Sequence, residues 1–331
     1  MKERTWEKEE IFLSPFAMKS KNTVGRLREE EPCPMRTDFQ RDRDRIIHCK
    51  AFRRLKNKTQ VFFSPEGDHY RTRLTHTLNV SQVARAIART LSLNEDLTEA
   101  IALGHDLGHT PFGHSGERIL ARLNPNGFEH NFQSGRVVDV LENEGKGLNL
   151  TREVVDGIIN HKLGTSAKTL EGKAVSLADR IAYINHDIDD AIAGGFITIN
   201  DLPKDAVDLL GKTSSKRINA MLSSIRRCSE GQNKVEMEKP YAEATKELRD
   251  FLFANVYRDK TFIDEEMRAD KMISALYEYY NSNTDKLPEF YINRLQIDDV
   301  NTVLTDYISG MSDIFAVKTF TEIFIPNNWK L

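Results

Sequence analysis

The chain has 331 residues, with 47 Lys and Arg against 50 Asp and Glu, so its formal net charge is −3. This balance excludes a general electrostatic attraction to nucleic acid or to an anionic membrane, and the length is sufficient for a large core. A membrane span needs about 18 consecutive apolar residues, and no run in the sequence is that long. The N-terminus lacks a signal-peptide pattern. Cys33, Cys49 and Cys228 are too widely spaced for a paired metal motif. These features predict a soluble cytoplasmic protein.

Positive charge is nevertheless concentrated in one part of the chain. The segment from Arg41 to Arg73 contains ten Lys and Arg but only four Asp and Glu. A basic segment in a near-neutral chain indicates a local anion, such as a phosphorylated ligand. A solvated helix face is the structural alternative.

Helical periodicity dominates the first half of the chain. Residues Thr75–Leu91 place apolar side chains on one face and predict a helix. Asn94 is suited to cap a second helix that runs into His105-Asp106. Two glycines and a proline then end that helix, and Asn124–Gly127 predicts a turn.

The second half of the chain is also helical in pattern. Helices are predicted over Phe128–Leu141, Arg152–His161 and Ser176–Ala193, and the part from Asp205 onward continues the pattern. The 176–193 helix is amphipathic, with an isoleucine-rich stripe opposite a polar face. Val175 and Phe196–Ile199 are candidates for short strands. The fold class predicted is therefore all-α with little or no sheet, and no composition shift marks a domain boundary.

The segment from His105 to Glu117 carries the chemistry. It contains His105, Asp106, His109, His114 and Glu117 within thirteen residues. Imidazoles beside carboxylates are typical ligands of a divalent ion, and the remaining histidine and glutamate suit acid–base chemistry. A buried core disfavours such groups unless each is paired.

Two residues outside this segment extend the set. His76 falls in register with the apolar face of the 75–91 helix, where a lone histidine is usually a satisfied core residue. Asp179 opens the polar face of the 176–193 helix. With His105 and Asp106 they form two imidazoles and two carboxylates, a set that suits a hard or borderline divalent ion with open positions.

Six ordered motifs carry a family resemblance. His76…His105-Asp106…Asp179 resembles the HD-domain phosphohydrolases. The longer segments resemble the bacterial deoxyguanosine-triphosphate triphosphohydrolase (dNTPase) family from about residue 35 to 315. They are residues 52–61, 71–78, 105–117, 128–131, 178–190 and 305–311.

The resemblance implies an HD-domain helical fold over the whole chain, residues 1–331, as one unit. Its core is expected at approximately 70–195 and additional C-terminal helices at approximately 205–331. It implies hydrolysis of deoxynucleoside triphosphates, of dGTP or of several dNTPs, to deoxynucleoside and inorganic triphosphate. His76, His105, Asp106 and Asp179 match the family's ligands to a metal, with Mn, Mg, Fe, Ni and Co all compatible.

The catalytic residues follow from spacing and resemblance together. His114 and Glu117 lie three residues apart, so a helical turn would bring them within hydrogen-bond reach. We expect Glu117 to orient His114, and His114 to protonate the departing 5′ oxygen. His109 is interpreted as a phosphate contact or acid–base partner, with a loop-capping role as the alternative. His130 matches a further active-site histidine, with a structural role at a helix start as the alternative.

Substrate contacts are implied at five positions. Arg73 lies one helical turn before His76, and Arg180 follows Asp179; both match phosphate-binding positions, and the guanidinium group suits phosphate oxygens. The resemblance assigns Tyr183, Asp187 and Gln60 to the deoxyribose and phosphates. A tyrosine under C2′ would exclude a 2′ hydroxyl sterically. A solvent-facing polar stripe is the alternative for Tyr183 and Asp187.

Other functions and partners remain as alternatives. The chain is compatible with another HD-type nucleotide phosphohydrolase, or with a non-catalytic regulator that binds dNTP or single-stranded nucleic acid. The resemblance also implies a homo-oligomer and a dNTP activator at a second site. His161 is a candidate of the same kind as His130, with weaker motif support, and its role is left open. His48, His69 and His186 are interpreted as structural or surface residues.

Overall fold

The protein is all-α, as predicted. A computed structural model describes residues 2–60, 71–257 and 260–326. Within these ranges no strand forms, and β pairing is limited to isolated bridges. The predicted strand at Val175 is wrong, because Val175 lies inside a long helix, and Phe196–Ile199 forms no strand either. Of the described helices, none combines the length and apolar character that a membrane crossing requires.

The described residues form seventeen α-helices. The first nine are α1 Lys2–Phe12, α2 Asp38–His48, α3 Lys50–Arg54, α4 Arg73–Thr90, α5 Glu95–Gly104, α6 Gly113–Leu123, α7 His130–Arg136, the short α8 Glu142–Gly145 and α9 Arg152–Ile159. The other eight are α10 Leu170–Ala193, α11 Lys204–Leu210, α12 Ser214–Ser229, α13 Lys239–Asn255, α14 Lys260–Ser282, α15 Glu289–Arg294, α16 Val300–Ser309 and α17 Asp313–Phe324.

The chain divides into two compact units, each built from three segments. Unit 1 comprises residues 1–48, 75–105 and 148–259. Unit 2 comprises residues 49–74, 106–147 and 260–331. One boundary falls between His105 and Asp106, within the central sequence motif. The sequence-based division at about 195–205 stays a prediction.

Helix α10 is the centre of unit 1 and contacts α5, α9, α12 and α13. It begins before the predicted Ser176, because the Thr169 hydroxyl accepts a hydrogen bond from Gly172 N at 3.1 Å and caps the helix. The solvent-facing alternative for its polar face is wrong at Asp187, which is buried with only 2% exposure. The helices packed against α10 cover this part of its surface.

The helices around α10 follow the sequence closely. Asn94 caps α5, as predicted, by accepting hydrogen bonds from Asp96 N and Leu97 N. The last residue of α5, Gly104, packs so closely against α9 that a Cβ there would overlap the Ile158 side chain. This close packing fixes the end of α5, where His105 follows.

In unit 2 the predicted turn at Asn124–Gly127 is confirmed by a hydrogen bond from Gly127 N to the Asn124 carbonyl at 2.8 Å. The helix predicted over Phe128–Leu141 begins at His130 and changes to a π-helix at Val137–Leu141. A separate core cluster in this unit includes Leu120, Ile273, Leu304 and Ile308.

The arginines at the start of the basic segment are neutralised within unit 1. Arg43 bonds to Asp96 and Glu99, and Arg45 forms two 2.7 Å hydrogen bonds to Glu30. These ion pairs favour the structural alternative for this part of the basic segment over a role in binding an anion. His69 and Val61 lie outside the described residues.

Candidate functional site

His76 lies in the first half of α4, on the face that points into unit 1. Its exposure is 1%, and Val80, Val83 and Ile87 on the same face are also buried. Its Nε2 lies 3.0 Å from Asp179 Oδ1 on α10. The sequence register therefore predicted the burial correctly, and the structure adds the carboxylate partner.

His105 follows the last turn of α5 and is fully buried. Its Nδ1 donates to the Ala102 carbonyl at 2.7 Å, since a carbonyl oxygen only accepts. A neutral imidazole bonded in this way has its lone pair at Nε2. That Nε2 lies 3.8 Å from Asp179 Oδ1, so the backbone orients the ring toward the carboxylate.

His161, the weaker active-site candidate of the sequence analysis, is held in the same manner as His105. It follows α9, and its Nδ1 donates to the Ile158 carbonyl at 2.7 Å. Its ring centroid lies 5.0 Å from that of His105. Ligand atoms of His105, His161 and Asp179 all lie within 4.8 Å of one another. The signal available in sequence was a histidine at a helix end, which by itself is common.

Asp179 is the carboxylate on which three histidines of unit 1 converge, namely His76, His105 and His161. Burial acts to raise its pKa, but the hydrogen bond to His76 and the electrostatic effect of the neighbouring His105 and His161 rings outweigh burial. The pKa of Asp179 therefore lies below its ordinary value. Asp179 is ionised at neutral pH and available as an anionic ligand.

The donor set of unit 1 fits a divalent ion. Backbone carbonyls hold Nδ1 of His105 and His161, which is the outer-shell arrangement typical of metal-ligating histidines. Imidazole nitrogens with one carboxylate suit first-row transition metals and leave positions for oxygen ligands. His76, His105 and Asp179 were predicted as ligands, and His161 is an additional candidate.

The second cluster, in unit 2, is organised around Glu117 on α6. Its Oε2 lies 3.3 Å from His114 Nδ1, and its Oε1 lies 2.9 Å from His130 Nδ1. The backbone N–H of His130 also donates to Oε1 at 3.1 Å. Burial acts to raise the pKa of Glu117, but hydrogen bonds from His114 and His130 lower it well below its ordinary value. The predicted contact between His114 and Glu117 is present, and His130 shares the same carboxylate.

His109 is the most deeply buried histidine of this second cluster. Its ring stacks on His130 with centroids 4.6 Å apart, and neither ring nitrogen has a hydrogen-bond partner within the described ranges. Burial and the nearby positive charge of Arg73 lower its pKa well below the ordinary value. His109 is therefore neutral, and its exposure is 1%. A capping role, the predicted alternative, would require a hydrogen bond that is not made here.

Arg73 is committed to an internal ion pair. Its Nη1 donates to Asp106 Oδ2 at 2.6 Å, and its Nη2 donates to the Gln60 carbonyl at 3.0 Å. Arg73 and Asp106 are both buried. The backbone of Gln60 makes this contact, so a role for its buried side chain with substrate stays a prediction. The roles of Arg73 in phosphate binding and of Asp106 in metal binding also stay predictions.

The loop before His114 is held in a strained conformation. Phe112 has φ of +61°, in the left-handed region that side chains other than glycine rarely adopt. The Asp313 carboxylate accepts from Phe112 N at 3.0 Å and from Thr59 N at 2.9 Å. Gly113 has φ of +57°, and a Cβ there would lie 2.9 Å from the Gln60 carbonyl oxygen. Asp313 therefore fixes the approach to His114, a contact that local sequence could not indicate.

Unit 1 also contains a basic cavity of about 680 Å³. Arg180, next to Asp179 on α10, lines it together with Arg249 from α13. The ammonium side chains of Lys173 and Lys246 are also in the lining. The lining also contains one carboxylate, Glu236, and both Lys246 and Arg249 pair with Asp250. The remaining positive balance is suited to an anion. Arg180 was predicted as a phosphate ligand, whereas Arg249 lies in a helix without a distinctive motif.

Tyr183 and Asp187 occupy successive turns of α10. Burial raises the pKa of Tyr183 further above its ordinary value, with a smaller contribution from the charge of Asp179, so the phenol stays neutral. Asp187 accepts a short hydrogen bond from the Tyr257 hydroxyl. Tyr257 was not identified from the sequence, because it follows α13 and lies 70 residues away. Of the remaining histidines, His48 is exposed, and His186 is buried with its ring 6.3 Å from that of His76.

Comparison with known proteins agrees with this geometry. Residues 73–184 match the HD domain, and residues 235–322 match a phosphohydrolase-associated domain. A crystal structure of a phosphohydrolase from Bacteroides thetaiotaomicron shares the fold, with a TM-score of 0.54 and 17% identity over 84% of this chain and 68% of that one. The protein is thus an HD-type phosphohydrolase by class.

Its relatives narrow the family further. A deoxyguanosinetriphosphate triphosphohydrolase-like protein of Caldanaerobacter subterraneus subsp. tengcongensis is 56% identical, covering 99% of this chain and 97% of the relative. One from Clostridium perfringens is 49% identical over 96% of each chain. The chain belongs to the deoxyguanosinetriphosphate triphosphohydrolase-like family, as the motifs predicted.

Proposed function

We propose that this protein hydrolyses deoxynucleoside triphosphates to the deoxynucleoside and inorganic triphosphate. The observation that carries the proposal is the arrangement along α10. Asp179 on this helix meets three imidazoles, and the next residue, Arg180, lines a cavity with four cationic side chains. A divalent metal and a polyanionic substrate would explain both features. Which base is preferred is left to the experiment.

His76, His105 and Asp179 would hold the ion, and the sequence motif adds Asp106 as the fourth ligand. When bound, the ion would neutralise charge that develops at the α-phosphorus. His161 would occupy a neighbouring position, either as a further ligand or in contact with a phosphate oxygen. The donor set favours Mn, Mg, Fe, Ni or Co over a structural zinc site, because it contains no thiolate.

The positive side chains would bind the triphosphate. Arg180 and Arg249 present planar guanidinium groups that match phosphate oxygens, while Lys173 and Lys246 supply further positive charge. Arg73 is also proposed to contact phosphate, as its position in the motif implies. Because triphosphate leaves as one piece, these residues would bind substrate and product alike.

His114 would act as the general acid. Its side chain is 58% exposed, so it can exchange protons with solvent, and its Nδ1 lies 3.3 Å from the Glu117 carboxylate, which would orient the ring. In the proposed step, water adds to the α-phosphorus and releases one proton to solvent, while the bond between phosphorus and the 5′ oxygen breaks. The proton of His114 passes to that oxygen. His130 shares Glu117, and neutral His109 would contribute a hydrogen bond to phosphate or take part in the proton transfer.

Selectivity for the deoxy sugar is proposed to reside on α10. Tyr183 would pack against C2′ and exclude a 2′ hydroxyl by its bulk, and Asp187 would accept a hydrogen bond from the 3′ hydroxyl. The Tyr257 hydroxyl holds Asp187 in place. Gln60 is the further sugar or phosphate contact that the family motif implies.

The test is a panel of the four dNTPs and the matching ribonucleotides, each with and without added divalent metal. Products are identified by mass. We expect inorganic triphosphate and deoxynucleoside, and little turnover of ribonucleotides. Orthophosphate or pyrophosphate as product would instead indicate another HD-type nucleotide phosphohydrolase. Binding of dNTP or single-stranded DNA without turnover under any metal condition would indicate a non-catalytic regulator.

Regulation by a second nucleotide is part of the proposal, as the family resemblance implies. Pairwise dNTP mixtures should show one nucleotide stimulating hydrolysis of another, or sigmoidal dependence on a single dNTP. Strictly hyperbolic kinetics that are unaffected by other dNTPs would contradict an activator site. We also propose a cytoplasmic, homo-oligomeric enzyme.

A further inference from the structure

Lys58 is a buried lysine of unit 2 that has no part in the reaction proposed above. It follows the short 3₁₀-helix Leu55–Asn57, and its exposure is 2%. Its Nζ donates to two backbone carbonyls, and burial lowers its pKa well below the ordinary value. Burying a lysine costs free energy that an apolar side chain of similar volume would avoid. Lys58 is therefore expected to have a task beyond filling the core.

The two carbonyls belong to segments that lie far apart in sequence. Lys58 Nζ donates to the Ser309 carbonyl at 2.8 Å and also to the His109 carbonyl. Ser309 is the last residue of α16, where carbonyls lack partners within the helix and favour a positive group. Helix α16 packs into the core cluster of unit 2 through Leu304 and Ile308. Lys58 thus connects the backbone of His109 to a well-packed helix.

This connection completes the fixation of the His109 backbone. His109 N donates to the Asp106 carbonyl at 3.1 Å, and Lys58 holds the carbonyl on the other side. Because both backbone groups are bonded, the direction of the Cα–Cβ bond is fixed, and the ring stacks on His130. Neither ring nitrogen has a hydrogen-bond partner within the described residues. His105, in contrast, is oriented by committing its Nδ1 to the backbone.

The backbone around Lys58 is itself held in place. The Lys58 carbonyl accepts from Arg73 N at 3.0 Å, and Thr59 donates through N and Oγ1 to the Asp313 carboxylate. The same carboxylate accepts from Phe112 N. Residues 58 and 59 therefore connect both ends of the loop 109–112 to the C-terminal helices of unit 2.

We propose that Lys58 is a positioning residue, which sets the His109 imidazole against His130 and leaves both ring nitrogens available to substrate. Its effect on turnover rests on the proposed function, in which His109 contacts phosphate or takes part in the proton transfer. Its effect on the position of the ring does not. A displacement of about 1 Å in such a group lowers a rate by up to about 100-fold.

A kinetic double-mutant cycle tests whether Lys58 acts through His109. Lys58→Met keeps the apolar volume but removes the donors, and it should lower kcat about 10- to 100-fold with KM changed less than about threefold. In the His109→Ala background the same substitution should lower kcat by no more than about twofold further, because the group that it positions is gone. Lys271→Met, at an exposed position of α14, is the matched control and should change kcat in neither background.

Two kinetic outcomes would overturn the proposal. One is an equal loss from Lys58→Met in both backgrounds, which would mean that Lys58 supports the fold without acting through His109. The other is full activity of Lys58→Met while His109→Ala is impaired. Lys58→Gln, which keeps an amide donor at this position, goes through the same measurements and should lose less activity than Lys58→Met. It keeps the proposal testable where Lys58→Met does not fold.

The position of the ring is measured without turnover, by NMR of protein that contains isotope-labelled histidine. The imidazole signals of His109 and His130, assigned from their alanine variants, should shift in Lys58→Met because the stacking is lost. The signals of His76 and His161 in unit 1 should stay unchanged. Unmoved His109 signals would overturn the proposal whatever reaction the protein catalyses. Shifted signals in a protein that hydrolyses no dNTP would support it and contradict only the proposed function.

Discussion

The two histidine clusters use the same residue types in different ways. In unit 1, backbone carbonyls hold the Nδ1 atoms of His105 and His161, and their rings are directed toward one carboxylate, Asp179. In unit 2, the Nδ1 atoms of His114 and His130 instead contact a side-chain carboxylate, that of Glu117. A carbonyl fixes a neutral tautomer that suits a metal, whereas a carboxylate favours the protonated ring that suits acid catalysis. The group that contacts Nδ1 therefore distinguishes a histidine suited to bind a metal from a histidine suited to act as a general acid.

Removing Asp179 should have the largest effect, because it takes away the charge at the centre of the unit 1 cluster. Asp179→Ala is expected to lower dNTP hydrolysis by about 10³-fold or more and to abolish metal retention. Elemental analysis and turnover measure both. Asp205→Asn on α11 is the control and should change neither. Full metal content in Asp179→Ala would contradict its place in the ligand set.

His114 tests the other half of the comparison. His114→Ala should lower kcat by about 10²- to 10⁴-fold, the usual contribution of a general acid, while metal content stays unchanged. Steady-state kinetics and elemental analysis of the same preparation distinguish the two clusters. Loss of metal from this variant would mean that His114 belongs with the ligands.

Glu117 tests whether the carboxylate, and not only the imidazole, matters. Glu117→Gln keeps the shape but removes the negative charge beside His114 and His130, and activity should fall about 10- to 100-fold. The loss should appear in kcat with metal content unchanged, because Glu117 contacts His114 and His130. Steady-state kinetics and elemental analysis measure both, and loss of metal from this variant would contradict a role confined to the unit 2 cluster.

The smallest effect is expected on stability, at the start of the helix that carries the unit 1 cluster. Burial raises the pKa of Glu171 on α10 from 4.5 to about 7, so the folded state binds its proton more tightly than the unfolded state does. This contribution is present below about pH 4.5 and is lost as pH rises through about 7, a change of at most about 3 kcal/mol.

Glu171→Gln should therefore flatten the dependence of thermal stability on pH in this range, with product identity unchanged. Differential scanning calorimetry from pH 4.5 to pH 8 measures this pH dependence. Glu7→Gln at the surface is the control and should leave the pH dependence unchanged. An unchanged slope in Glu171→Gln would show that the carboxyl group is already ionised in the folded protein.

Local features of the fold were predictable from sequence. The Asn94 cap, the Asn124–Gly127 turn and the burial of His76 depend on neighbouring residues, and all three are confirmed. The burial of Asp187 was not predictable, since a helix pattern shows which residues share a face but not how many neighbours surround the helix. Arg249 on α13 and Tyr257, which follows α13, contact the α10 region from about 70 residues away, without a motif of their own.

The sequence by itself determined the family, the helical class and the inventory of imidazoles and carboxylates, because motif spacing and hydrophobic period are local properties. Tertiary structure decided which neighbour each imidazole received. His161 joined the cluster of Asp179, and His130 joined that of Glu117. A histidine's tautomer and charge depend on the group at its second nitrogen and on access to water. Both are set by chain segments far apart in sequence.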